Sequence, residues 1–75
     1  MAVVKCLHQY TEQTPAEFLV ISADQEELRT IGQWVMERDL QAVISVSDSV
    51  DGINHSFTIT MYDKEAIVLF MLIWS

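Results

Sequence analysis

Cys6 and His8 stand two residues apart in "VVKCLHQY", and His55 is the only other histidine of the chain. A thiolate and an imidazole on one strand face would form half of a metal site, with His55 as a third ligand. Structural zinc takes four ligands, usually including paired cysteines, and this chain has a single cysteine. No metal or other cofactor is therefore expected. The same three residues would also serve as a thiol nucleophile with its base. That chemistry needs an accessible thiolate, and the alternation of the first strand turns Cys6 toward the core, with the histidines at the surface or at strand ends.

Asp48, Asp51, Gly52 and Asn54 in "DSVDGIN" place oxygen ligands around a glycine. A calcium loop of the twelve-residue type needs a closing bidentate Glu that is missing here, so a hairpin turn is the simpler expectation. "NHS" at residues 54–56 fits a glycosylation sequon, which matters only in a secreted chain. There is no glycine-rich phosphate loop and no nucleophile elbow, and only two glycines occur in all. The expectation is a protein without catalytic activity.

The charge balance is the next constraint. Four Lys and Arg stand against 11 Asp and Glu, a net charge of −7. Lys5, Arg29, Arg38 and Lys64 are scattered singly, so the clustered cations that meet a phosphate backbone are absent, and direct nucleic-acid binding is not expected. The N-terminus lacks the pattern of a signal peptide, and one cysteine requires no oxidising compartment. The apolar run from Ala66 to Trp74 is far shorter than the roughly 20 residues of a membrane span, and it has no cationic face for lying in a membrane plane. A cytoplasmic location is expected.

Seventy-five residues with 51% hydrophobic content allow one domain, residues 1–75. The stretch "HSFTITMYDKEAIVLFMLIW" changes period at Asp63. Phe57, Ile59 and Met61 alternate as in a half-buried strand. Ile67, Phe70, Met71 and Trp74 then recur at helical spacing behind an acidic first turn. "AEFLVISADQEELRTIGQWV" has the same form. Its strand carries Phe18 and Val20 on one face and Leu19 and Ile21 on the other, and its helix puts Leu28, Ile31 and Val35 on one stripe beside Gly32. "TPAE" offers a rival helix start at Thr14, but the branched run that follows favours a strand.

Two further strands are expected, over roughly residues 2–9 and in "LQAVISVSD". Shifting residues 17–35 by 39 lays them over 56–74, and shifting the first strand by 40 lays it over the third. The expected fold class is therefore α+β: a four-stranded, mainly antiparallel sheet with two helices on one face, order ββαββα, with an internal ββα repeat. Its inward residues would be Val4, Cys6, Phe18, Val20, Leu28, Ile31, Val35, Ile44, Val46, Phe57, Ile59, Ile67, Phe70 and Trp74.

The remaining apolar residues are too many for this core. Leu19, Ile21, Trp34, Val68, Leu69, Leu72 and Ile73 would form a patch larger than a monomer usually exposes. Asp24, Glu26, Glu27, Asp63 and Glu65 cap the helices and would give that patch an acidic rim, joined by Glu12, Glu17 and Asp48 if they share a face. These features point to a protein-binding module working by surface occlusion or scaffolding, homodimeric through its last helix. A second reading specialises this one: size and acidity have the character of an inhibitor of the kind phages or mobile elements encode, blocking a basic host protein or imitating nucleic acid. A small-molecule-binding regulatory domain is a third reading, without recognition residues to support it.

Overall fold

In the computed structural model, which describes residues 2–47 and 54–74, the chain forms β1 (Val3–His8), β2 (Ala16–Ser22), α1 (Gln25–Arg38), β3 (Val43–Ser47), β4 (His55–Met61) and α2 (Lys64–Trp74). The strands make one antiparallel sheet in the order β1-β2-β4-β3. This is the expected ββαββα architecture. The turn expected at Asp51-Gly52, and the calcium-loop residues Asp48, Asp51 and Gly52, lie outside the described residues.

Each element follows from local chemistry. Thr11 Oγ1 accepts the Gln13 and Thr14 N–H groups, and the Thr14 hydroxyl is held against Thr11 at 2.6 Å. Thr14 is thus engaged in a turn rather than capping a helix, and Ala16 enters a strand. Asp24 and Asp63 cap the two helices alike: each Oδ1 accepts the N–H two residues on, at 2.9 Å. Asp63 Oδ1 also accepts the Ala66 N–H at 3.2 Å.

The two halves share one register. In the central pair, Leu19 lies opposite Thr58, its counterpart under the shift of 39. In the outer pairs, Val3 faces Ile21 and Val43 faces Thr60, so the first and third strands correspond by 40. The local two-fold axis runs through the middle of the sheet. It makes the helices antiparallel, and the α1 C-terminus is fastened to the start of α2 by Asp39. That carboxylate is buried; its Oδ2 accepts the Tyr62 and Asp63 N–H groups at 2.7 and 3.0 Å, and its Oδ1 accepts that of Gln41 at 3.1 Å.

Ala16, Phe18 and Val20 of β2 and Phe57, Ile59 and Met61 of β4 are buried beneath Leu28, Ile31 and Val35 of α1 and Ala66, Ile67 and Phe70 of α2. Phe18 and Phe70 meet with ring centroids 4.9 Å apart. Gly32 brings α1 down onto the other half: a Cβ there would sit 3.3 Å from both Ile44 Cδ1 and Phe57 Cε2.

Several expected core residues are not buried. Cys6 is exposed and Val46 is 81% exposed, while Val4, Ile44 and Trp74 are half-buried. For the four strand residues the cause is strand order. β1 and β3 are the edges, and two helices roof the central strands but cover the inward side chains of the outer ones only in part or not at all; Trp74 is the last residue of α2. Met71 is exposed on the flank of α2. Leu40, expected in a strand, is in the turn after α1 and is 88% exposed.

Candidate interaction surfaces

Cys6, His8 and His55 do not come together. Cys6 pairs with Phe18 on the helix-covered face, but a register shift at Leu7 puts His8 opposite Glu17 on the other face, and His55 lies opposite Ser22 at the far end of the central pair. Among the described residues, no group of three or more His, Cys, Asp or Glu side chains is placed to hold a metal. None of their helices is long and apolar enough to cross a membrane.

The apolar residues expected to form one patch are divided between two surfaces. Leu19 and Ile21 are half-buried on the sheet face opposite the helices, Ile21 beside Val3 and Leu19 beside Lys5. Ser56, Thr58 and Thr60 of β4 share that face, so it is mixed rather than apolar. Val68, Leu69, Leu72 and Ile73 lie on the outside of α2, with Leu72 75% exposed. A helix that buries only Ala66, Ile67 and Phe70 on a single sheet must leave its remaining sides to solvent, and no charged residue follows Glu65.

Trp34 joins the α2 surface through packing. Its ring lies 6.2 Å from that of Phe70 and 6.5 Å from that of Trp74, edge-on to the latter at 83°. The Arg38 guanidinium stacks over Trp34 at 4.4 Å and donates to the Trp34 carbonyl at 3.3 Å. Trp34 is thus half-buried between its own helix end and α2. Trp74 Nε1 is buried and has no hydrogen-bond partner among the described residues.

The acidic residues are also divided. Because the helices run antiparallel, Asp63 and Glu65 lie at one end of the helical layer, and Asp24, Glu26 and Glu27 at the other. Glu27 is half-buried, and its Oε1 accepts the Ser22 hydroxyl at 2.8 Å. Glu26 forms an exposed pair with Arg29 at 3.1 Å. The α2 face therefore has an uncharged middle with carboxylates beyond each end.

Two features escaped the sequence reading. One is the outer edge of β3, where Val43 and Val46 are exposed and nothing among the described residues pairs with the backbone. Beside it runs a groove of about 480 Å³ lined by Arg29, Gly32, Gln33, Met36, Val46 and Phe57. The other is the Asp39 clasp. An edge strand shows itself only when strand order is known, and an Asp just past a last helical turn carries no cap signal, since Gly and Asn are the usual C-terminal caps and the macrodipole there favours cations.

Compared with known protein families, curated proteins and solved structures, the chain matches none.

Proposed function

We propose that this chain is a cytoplasmic protein-binding module without catalytic activity, which acts by occluding or scaffolding a partner protein through the exposed face of α2. The observation that carries the reading is the uncharged, outward side of this helix, where Val68, Leu69, Leu72 and Ile73 lie in solvent. Burying such side chains is worth roughly 1.5–3 kcal/mol each, and aliphatic and aromatic anchors of this kind dominate interfaces. Trp34, packed on Phe70 and Trp74, extends the face toward α1.

Acidic groups beyond both ends of the face favour a partner that carries an apolar centre between basic residues. Such charges raise the association rate and set orientation more than they raise affinity. An inhibitor that blocks a basic host protein is the version of this reading that the charge distribution supports.

The test is capture from the source organism with the wild type and a Leu72→Glu variant as baits. The wild type should retain a partner that Leu72→Glu loses, and added salt should weaken retention. Equal retention by both baits would remove α2 as the docking face.

A further inference from the structure

We infer that two copies of this chain associate through β3, pairing antiparallel about Ser45 to make one eight-stranded sheet. The two sheet edges differ in how they are protected. β1 carries Lys5 and His8 and has a register shift at Leu7, devices that discourage strand addition. From Leu40 to Ser47 the other edge has no charge and no proline, and its pairing with β4 is unbroken from Val43 to Ser47. It is a neutral strand without a bulge that offers its backbone to another.

The side chains match when the two-fold axis passes through Ser45. Ile44 of each copy then lies opposite Val46 of the other. This covers the 81%-exposed Val46 and turns it toward the groove beside Gly32 and Met36. The helices are placed to follow. Gly32 packs on Ile44, one residue from the axis, so the middle of α1 is level with the middle of β3.

Two antiparallel α1 helices centred near Gln33 bring Arg29 of one copy level with Glu37 of the other. Arg29 now pairs with Glu26, and Glu37 with Gln33 and Arg38, all at exposed sites where such contacts are weakly held and exchangeable.

Charge favours this surface over α2 for self-association. Two α2 helices packed antiparallel would bring the start of α2, where Asp63 and Glu65 outnumber the single Lys64, toward Glu26 and Glu27 of the other copy, two carboxylates beside the single Arg29 that pairs with Glu26, an excess of negative charge at both ends. The β3 edge brings a neutral strand to a neutral strand, with Arg29 facing Glu37. The inference does not rest on α2 binding a partner, and it leaves that face free.

Light scattering after size exclusion at micromolar concentration tests it with the full chain in a Cys6→Ser background. The wild type should run at twice the monomer mass, Val46→Lys at the monomer mass with an unchanged circular dichroism spectrum, and Leu72→Glu still as a dimer. Arg29→Glu should weaken the dimer and the double variant Arg29→Glu/Glu37→Arg should restore it. Ser45→Cys should form a covalent dimer on oxidation, because a residue on the axis has its Cα about 4.5–5.5 Å from its copy, within disulfide reach. A monomeric wild type, or a dimer lost with Leu72→Glu and kept with Val46→Lys, would overturn the inference. Should Val46→Lys fail to fold, absence of the Ser45→Cys cross-link would do the same.

Discussion

At the residue scale the most consequential side chain is Asp39. Its two oxygens accept three backbone N–H groups from two segments that are far apart in sequence, Gln41 just after α1 and Tyr62 and Asp63 at the start of α2. Since the residue is 2% exposed, water cannot replace these bonds if they are lost. Asp39→Ala should therefore destabilise the fold by roughly 2–4 kcal/mol, the range for leaving buried donors unpaired. Asp39→Asn should cost less, about 1–2 kcal/mol, because its carbonyl oxygen still serves Tyr62 and Asp63 while its NH₂ group opposes the Gln41 N–H. Urea denaturation of both variants measures the difference, and equal losses would contradict this division of roles. Nothing in a linear pattern marks which segments an aspartate will tie together, and an Asp at a helix C-terminus is no cap signal, so the clasp was not legible in the sequence.

At the element scale, α1 depends on Gly32 for its closeness to β3 and β4. A Cβ at 3.3 Å from Ile44 Cδ1 and Phe57 Cε2 is tight, but Phe57 borders the groove and the Ile44 methyl is at the end of a flexible chain. Gly32→Ala gains up to about 1 kcal/mol of helix propensity, which offsets the crowding, so its stability should stay within about 0.5 kcal/mol of the wild type. Gly32→Leu has no such room and should lose roughly 1–3 kcal/mol, which thermal melts would show. At the start of α2, Asp63→Ala removes a cap that accepts two N–H groups and should cost about 1 kcal/mol by the same measurement. The elements and their order were legible because helical and strand periods alternate cleanly at Asp24 and Asp63, each with its cap. The centre of the core was legible from Phe18, Val20, Phe57 and Ile59 for the same reason. Cys6 and Val46 were misplaced because alternation shows which side of a strand faces the helices and not whether a helix reaches over it. That depends on strand order, which arises from pairing between segments distant in the chain. Leu19, Ile21 and α2 were read as one patch through the same gap: each was correctly left outside the core, but their opposite sides of the sheet follow only from the assembled layers.

At the scale of the whole molecule, 75 residues bury only roughly 60% of their unfolded surface, so any contact that covers more of it shifts the folding equilibrium visibly. A sheet ordered β1-β2-β4-β3 has two edges, and its helical layer is too small to roof the outer strands. The unprotected edge and the uncovered Val46 fall on the same strand, so β3 pairing would link folding to association. If the dimer is the folded form, mass action adds stability with concentration, about 1.4 kcal/mol per tenfold shared between two chains. For a domain of this length 1 kcal/mol corresponds to about 4–8 °C, so raising the protein concentration roughly a hundredfold should raise Tm by several degrees. Val46→Lys should melt at a lower temperature that does not change with concentration, since a lone chain has nothing to gain from its neighbours. Leu72→Glu should keep the concentration dependence of the wild type, because its side chain lies on α2, away from the β3 edge. Scanning calorimetry of the three proteins over that range separates the effects, and a wild-type Tm indifferent to concentration would mean that the chain folds without the support of a second copy.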